Sequence, residues 1–283
     1  MSKTPWVCPV CRQQLTRDEK QYRCAQGHSF DVAKEGYVNL LPANHKRSAD
    51  PGDDKQMLRN RREFLERGYY QPLAEHLIRE CKEERHASAG SHFTLLDIGC
   101  GEGYFTGMIS SALIEAKQPQ VLCSAGIDIS KHAIRLASKR YPAVNFAVAS
   151  SAVLPVENDG IDCLLRIFAP GGDEEIRRVL RSGGLYIRVT PGPNHLYSLR
   201  ELIYDQPRPH AEADAQIEGF QLLRREKIEY KTAVQGAGDI GALLKMTPYY
   251  WQANEERQAR VLSLSELELD VDFYVDVFRN GMA

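Results

Sequence analysis

The segment Leu95-Leu-Asp-Ile-Gly-Cys-Gly-Glu-Gly-Tyr-Phe-Thr106 constrains the fold of this chain more than any other stretch. An apolar run ends in Asp97, glycines follow at positions 99, 101 and 103, and helix-compatible residues come next. This order is typical of a buried strand that delivers its C-terminal end to a ligand in a doubly wound α/β sheet. A second strand end of the same kind, closed by Asp128, follows at residues 126–130.

The glycine spacing also argues against a dinucleotide-binding site. Such sites carry a third glycine three residues after the second, and Tyr104 occupies that position here. The glycines at 99 and 101 would instead let the backbone approach a different ligand closely, with amides of the following helix start facing its polar groups.

Alternation of helix and strand patterns continues to the C-terminus. We predict helices over 55–67, 72–84, 103–115, 131–140, 173–180, 235–245 and near 194–204, and strands over 93–98, 121–127, 144–148, 161–167, 184–190, 220–230 and 271–278. This order predicts an α/β fold whose parallel sheet is covered by helices on both faces.

The N-terminal segment has the ligand spacing of a zinc site. Two residues separate Cys8 from Cys11, twelve separate Cys11 from Cys24, and three separate Cys24 from His28. Paired thiolate and imidazole ligands on two tight turns suit the tetrahedral geometry of Zn²⁺, and four ligands without an open position indicate a structural site. We expect metal binding to contribute to the folding of this small head.

Composition narrows the setting of the protein. Seven cysteines, an odd number, in a chain without a signal sequence argue for free or metal-bound thiols in a reducing compartment, so we expect a cytoplasmic protein. No apolar run reaches the roughly 20 residues that a membrane-spanning helix needs.

Residues 29–62 interleave aromatic residues with Lys and Arg, and two interpretations remain open. The basic residues, among them those at 45–47 and Arg59, Arg61 and Arg62, suit stacking and phosphate contacts with nucleic acid. Alternatively, the segment is a hydrophobic collar that packs the metal head onto the body. Under either interpretation we expect Phe30 and Val38 to lie in the core and not to face a ligand.

The two glycine- and aspartate-rich strand ends resemble the first two motifs of class I S-adenosylmethionine-dependent methyltransferases. The resemblance implies a Rossmann-like, mostly parallel seven-stranded sheet that ends in a hairpin. It places Asp97 and Glu102 near the methionine part of the cofactor, and Asp128 at the ribose hydroxyls. Ser150 and Ser151 stand where many relatives carry an acid that holds adenine.

In the same superfamily the loop after the fourth strand faces the methyl acceptor. Here Phe168 could stack on a base, Arg166 could hold a carbonyl or phosphate, and Pro170 would stiffen the loop. The structural alternatives are a core Phe168, an Arg166 ion pair, and a Pro170 that only ends the strand. His195, after the next strand, is a cofactor-site candidate or a helix cap.

Motifs along the whole chain make the resemblance more specific. Besides the zinc pattern, the sequence contains Lys34-Glu-Gly-Tyr-Val-Asn-Leu-Leu41, Asp50-Pro-Gly-Asp53, Arg166-Ile-Phe-Ala-Pro170 and Thr190-Pro-Gly-Pro-Asn-His195. Together they resemble the 23S ribosomal RNA guanine-N1 methyltransferase family (RlmA), which modifies a hairpin loop.

This resemblance implies zinc at Cys8, Cys11, Cys24 and His28, and cofactor contacts by Tyr70, Gly101, Glu102 and His195. It also implies an RNA groove between the head and the methyltransferase domain, and a possible homodimer. We accordingly divide the chain into a zinc-binding head (1–36), a basic and aromatic linker with a helix (37–72), and a methyltransferase domain (73–283).

The resulting hypothesis is methyl transfer from S-adenosylmethionine to N1 of an unpaired guanine. The base that removes the N1 proton stays open among Glu102, His195 and solvent, and Arg166 could stabilise charge on O6. Two alternatives are a methyltransferase that acts on a small molecule and a nonenzymatic RNA-binding protein with a vestigial cofactor site.

Overall fold

An eight-stranded sheet organises the chain. The computed structural model describes residues 4–42, 52, 54–88 and 90–281. The strands of this sheet, in chain order, are β4 (Val38–Asn39), β5 (His92–Ile98), β6 (Val121–Asp128), β7 (Asn145–Val148), β8 (Ile161–Ile167), β9 (Leu180–Pro191), β10 (Phe220–Gln235) and β11 (Glu266–Asn280). A separate three-stranded sheet near the N-terminus contains β1 (Thr16–Arg17), β2 (Gln21–Arg23) and β3 (Ser29–Asp31).

The strand order is β10-β11-β9-β8-β5-β6-β7-β4, and all neighbours are parallel except the pairs that involve β11. The seven strands from β5 to β11 confirm the predicted fold class, including the final hairpin of β10 and β11. The two-residue strand β4 was not predicted and adds an eighth strand at the edge. The chain winds outwards from β5 in one direction and then returns to continue from β8 in the other, so the carboxyl ends of these two neighbours flank a crevice.

Helices cover both faces of the sheet. They are α1 (Lys55–Glu66), α2 (Gln71–Ala87), α3 (Tyr104–Glu115), α4 (Lys131–Arg140), α5 (Asp173–Val179), α6 (Tyr197–Ile203), α7 (Gly236–Lys245), α8 (Tyr249–Gln252) and α9 (Glu255–Leu262). Neither α8 nor α9 was predicted. With α7 they form an insertion between the two strands of the final hairpin, which begins and ends beside the carboxyl edge of the sheet. Among the described residues, no helix is long and apolar enough to cross a membrane.

The N-terminal head is packed onto the sheet through a shared core. Trp6 is fully buried and belongs to the same apolar cluster as Leu96 and Ile127 of the central strands. The backbone amide of Val7 donates to the carbonyl of Pro155 at 2.8 Å, and the Arg12 guanidinium donates to the carbonyls of residues 154 and 156. The head therefore depends on the body for part of its core as well as on its metal ligands.

The segment after the head supports the collar interpretation. Val38 is fully buried in the shared cluster, and Leu40 is buried beside it. Phe30 packs against the same cluster but stays partly exposed. The basic residues at 45–47 lie outside the described residues.

Candidate functional site

A cavity of about 910 Å³ opens at the carboxyl ends of the parallel strands. Its wall contains every residue that the sequence predicted for cofactor binding and for the acceptor loop: Tyr70, Asp97, Gly99, Gly101, Glu102, Asp128, Ser150, Ser151, Arg166, Phe168, Pro170 and His195. Residues more than 120 positions apart in the chain therefore share one site, at the point where the strand order reverses.

The glycine turn after β5 leaves no room for a β-carbon at Gly99 or Gly103. Gly99 has φ +69°, and a β-carbon on it would lie 2.4 Å from the β-carbon of Ala169, which follows β8. Gly103 has φ +83°, and a β-carbon there would lie 2.9 Å from that of Ala137 on α4. Both the backbone conformation and the close approach thus require glycine. The Asp128 carboxylate holds the turn by accepting the Gly101 amide at 3.0 Å.

Two buried carboxyl groups face the cavity beside this turn. Asp97 accepts the Thr106 hydroxyl through Oδ2, but its buried Oδ1 has no hydrogen-bond partner, and the same is true of the buried Glu102 Oε1. Burial, with the nearby charges of Asp128 and Glu102, raises the pKa of Asp97 to about 7, and burial also raises the pKa of Glu102. Unpaired acceptors in a buried wall indicate a ligand that brings donors or positive charge.

Tyr70 and His195 form a buried pair on the opposite side. The His195 Nε2 lies 3.2 Å from the Tyr70 hydroxyl, while its Nδ1 accepts the Asp272 amide at 3.4 Å. Because Nδ1 is the acceptor, the neutral ring carries its hydrogen on Nε2 and donates it to Tyr70. Burial lowers the pKa of His195 to about 3. Both ring nitrogens are therefore engaged, which disfavours His195 as a proton acceptor.

The loop after β8 presents one exposed aromatic ring. Phe168 is 43% exposed, has φ +52°, and lies nearly parallel to His195 with 6.3 Å between the ring centroids. Arg166 behaves differently, since its guanidinium donates to the Gly171 carbonyl at 2.8 Å and pairs with Asp173 at 3.2 Å. The structure thus places Phe168 as a cavity surface, whereas Arg166 also braces the loop that contains Pro170.

The far end of the cavity is built by parts of the chain that the sequence analysis did not single out. His210, from the connection between α6 and β10, lines it together with the segment Met246-Thr-Pro-Tyr249 from the hairpin insertion. The Tyr249 hydroxyl lies 3.0 Å from the His210 Nε2. An isolated histidine in a polar, turn-rich segment carries no sequence signal for a site, and only the fold brings it there.

The four predicted metal ligands come together in the head. The ligand atoms of Cys8, Cys11, Cys24 and His28 all lie within 4.8 Å of one another. The Cys11 and Cys24 sulfurs are 3.6 Å apart, and the His28 Nδ1 lies 3.3 Å from the Cys24 sulfur and 3.6 Å from that of Cys8. A tetrahedral Zn²⁺ with bonds of about 2.0–2.3 Å separates its ligand atoms by about 3.5–3.8 Å, so the residues fit the ion.

A second cluster of metal-ligating side chains lies outside the cavity wall, between α2 and β10. The ligand atoms of His76, Glu80 and Glu226 also lie within 4.8 Å of one another. Arg224, however, pairs with both carboxylates and already supplies the positive charge there. This cluster therefore joins a helix to the sheet as an ion-pair network.

The sheet order, the glycine turn and the cavity at the reversal point together define a class I S-adenosylmethionine-dependent methyltransferase, and the head adds a zinc ribbon. Two family models agree: "RlmA, N-terminal", a zinc ribbon, matches residues 6–49, and "Methyltransferase domain" matches residues 95–184.

Full-length relatives make the family definite. The chain is 33% identical over 278 residues to a 23S rRNA (guanine(748)-N(1))-methyltransferase of Streptomyces fradiae, with 95% of each chain covered. It is 31% identical over 275 residues to the protein named putative 23S rRNA (guanine-N(1)-)-methyltransferase YxjB of Bacillus subtilis, covering 94% and 93% of the two chains. The chain belongs to the family of 23S rRNA guanine-N1-methyltransferases.

Replacing one metal ligand should empty the head of zinc. We expect Cys24→Ser to reduce bound zinc from about one ion per chain to less than 0.1, because a hydroxyl is a poor ligand for this ion and three ligands leave the tetrahedron incomplete. Metal analysis of the purified protein measures the content. Cys123→Ser, outside the cluster, is the matched control and should keep its zinc. Full zinc content in Cys24→Ser would contradict the ligand assignment.

Cofactor affinity should depend on the ionisation of Asp97. A cationic ligand favours the ionised carboxylate, so S-adenosylmethionine should bind more weakly as the pH falls through about 7. Between pH 8 and pH 6 the ionised fraction falls from about 0.9 to about 0.1, which predicts a loss of affinity of about tenfold. Calorimetric titration at several pH values measures it. The Asp97→Asn variant should bind S-adenosylmethionine weakly, with an affinity that changes less with pH, and its zinc content should be unchanged. An equally steep pH dependence of the affinity in that variant would refute the role of Asp97.

Proposed function

We propose that this protein transfers a methyl group from S-adenosylmethionine to N1 of a guanine in a hairpin loop of 23S ribosomal RNA. One observation carries the proposal: a single cavity connects the carboxylate-rich end beside the glycine turn with an aromatic end at Phe168, His210 and Tyr249. Three relatives that match 92–95% of this chain are named for guanine-N1 methylation of 23S rRNA, two of them as putative enzymes. No observation favours the small-molecule or the nonenzymatic alternative.

The carboxylate-rich end is suited to the cofactor. We assign Asp97 and Glu102 to its positively charged methionine part and Asp128 to the ribose hydroxyls, with Gly99, Gly101, Ser150, Ser151 and the Tyr70–His195 pair as further contacts. The unpaired buried oxygens of Asp97 and Glu102 support this placement of the cofactor, because a ligand with hydrogen-bond donors would pair them. When bound, the cofactor supplies an activated methyl group on a cationic sulfur.

The aromatic end is suited to a single unstacked base. Guanine N1 lies on the Watson–Crick edge and is inaccessible in a base pair, so the target must be unpaired or splayed out of its stack. The exposed ring of Phe168 offers a stacking surface, and its left-handed backbone conformation holds that ring at the cavity wall. A guanine in a hairpin loop meets this requirement, because it reaches the pocket without the opening of a helix.

We propose that the RNA contacts basic and aromatic side chains of the segments that line the cavity. Helix α1 carries Arg59, Arg61 and Arg62; Arg61 lines the cavity, and Arg62 pairs with Glu66 at 2.8 Å. Trp251 is 69% exposed and lies two residues after Tyr249, which lines the cavity. Arginines suit phosphate contacts, and an exposed indole suits stacking on a neighbouring base.

We further propose the division into head (1–36), connection (37–72) and methyltransferase domain (73–283), with strand β4 marking where the connection joins the sheet. A substrate in the ribosome favours a cytoplasmic location. The homodimer that the family resemblance implies stays a prediction.

The reaction is tested directly by mapping the product. We expect purified protein, with unmodified 23S ribosomal RNA and labelled S-adenosylmethionine, to produce N1-methylguanosine at one loop position. The methyl group blocks the Watson–Crick edge, so reverse transcription stops there. A transcript in which the loop guanine is replaced by adenine is the matched control. A labelled small molecule without labelled RNA would contradict the proposal.

Trp251 should contribute to RNA affinity through stacking. Stacking of one base on an aromatic ring contributes about 1–3 kcal/mol, so Trp251→Ala should raise the Kd for the hairpin by about 5- to 150-fold, and Trp251→Phe much less. Fluorescence anisotropy with a labelled hairpin measures this change. The control is Val121→Ala, another exposed apolar residue, at the amino end of β6 and hence at the opposite edge of the sheet. An unchanged Kd in Trp251→Ala would exclude the contact.

A further inference from the structure

Methylation at N1 needs a group that removes the N1 proton, and most titratable groups in the cavity wall are already committed. Asp97, Glu102 and Asp128 belong to the end beside the glycine turn, and Asp128 also accepts the amides of Gly101 and Ser130. His195 uses both ring nitrogens. Arg188 is paired with the buried Asp276 at 2.7 Å.

The aromatic end holds one histidine with a different arrangement. The connection between α6 and β10 places His210 in the wall, where its backbone amide donates to the Pro193 carbonyl at 3.0 Å. Arg200 fixes the same turn by donating to the Pro193 carbonyl at 2.9 Å and to that of Arg208. The position of the His210 ring is therefore set by backbone contacts on both sides.

The hydrogen bonds of His210 determine which nitrogen can accept a proton. The backbone of His195 acts to raise the pKa of His210, as a carbonyl near a ring N–H does, and we therefore assign the hydrogen of the neutral ring to Nδ1. The lone pair then lies on Nε2, 3.0 Å from the Tyr249 hydroxyl, which donates to it. The Tyr249 oxygen keeps lone pairs, and both residues line the cavity.

We propose that Tyr249 and His210 act together as the general base of the methyl transfer. The inference rests on the proposed function, because it assumes a guanine whose N1 proton must leave. The bond between N1 and its hydrogen breaks, and the proton passes to the Tyr249 oxygen while the hydroxyl hydrogen of Tyr249 passes to His210 Nε2. The N1 electron pair forms the new bond to the methyl carbon, and the sulfur of the donor keeps the pair of the broken bond. One proton thus remains on the imidazolium, from which solvent takes it.

The charges around the pair suit this role. Burial and the positive charge of Arg200 lower the pKa of His210, whereas the His195 backbone and Asp272 act in the opposite direction. The ring is therefore neutral at neutral pH and has a lone pair that can take up a proton. Burial raises the pKa of Tyr249, so this residue stays a hydroxyl and relays the proton without acting as a phenolate. Proton transfer by a positioned side chain typically contributes 10²- to 10⁴-fold to a rate.

The test compares His210→Gln, Tyr249→Phe and the double variant in single-turnover methylation of the ribosomal hairpin between pH 6 and pH 9. We expect each single variant to lower the rate at pH 7 by about 10²-fold, and the double variant to lose little more, because residues that act as one unit are not additive. The rate of each variant should rise about tenfold per pH unit as guanine itself loses its proton, whereas the wild-type rate should level off above the pKa of His210. The Kd values for S-adenosylmethionine and RNA should change less than threefold.

His86→Gln, an exposed histidine in the last turn of α2, is the matched control and should keep the wild-type rate. Single-variant rates within threefold of the wild type, or lower rates with an unaltered pH profile, would overturn the inference, since the latter is the behaviour of a merely structural pair. Failure of the proposed function is distinguishable, because the wild-type protein itself would then produce no N1-methylguanosine.

Discussion

The contact between the backbone of Gly99 and Ala169 brings the carboxyl ends of β5 and β8 together, and the site depends on it. A β-carbon at Gly99 would lie 2.4 Å from that of Ala169, so any other residue would force the two strand ends apart. The turn that starts there places the Gly101 amide on Asp128 at the end of β6. Three neighbouring strands are thereby held in one geometry, with the buried Asp97 carboxylate beneath the turn. The cost is a buried acid that lacks a partner on one oxygen, which a cationic ligand can offset.

The metal-binding head shares its core with the eight-stranded sheet and does not form a separate module. Trp6 fills a position in the core under the central strands, and the carbonyls of residues 154 and 156 accept hydrogen bonds from Arg12. These carbonyls follow Ser150 and Ser151 closely in the chain, so the head contacts the loop that contributes to the cavity wall. The ligands Cys8 and Cys11 lie between Trp6 and Arg12 in the chain, so the turn that holds these ligands also places the two residues that contact the body.

The features of this fold that could be predicted are those whose residue pattern has a local physical cause. The glycine turn, the zinc ligands and most strand ends were predictable because glycine conformations, ligand spacing and apolar runs act over short distances. The Asn254 cap followed by two glutamates is likewise a local sequence signal for the start of α9, although α9 was not predicted. The position of His210, the packing of Trp6 and the edge strand β4 were not predictable, because each depends on partners that are remote in sequence. An ion pair of Arg166 was predicted only as an alternative. Its contacts with Gly171 and Asp173 were not predictable, because the loop after β8 must fold back to bring these residues to the guanidinium.

The two ends of the cavity differ in charge, and this difference follows from where their residues come from. Strands β5 and β6 contribute Asp97 and Asp128 to the end beside the glycine turn, and the turn itself contributes Glu102. The later part of the chain contributes neutral rings, and its arginines 166 and 188 are paired with Asp173 and Asp276. The acidic end therefore attracts a cationic methyl donor. The aromatic end neither repels a neutral nucleobase nor stabilises one that is permanently anionic. Such an arrangement favours removal of the N1 proton during methyl transfer over the binding of a guanine that is already anionic. The negative charge that develops on the guanine is neutralised as the cationic donor beside it gives up its methyl group.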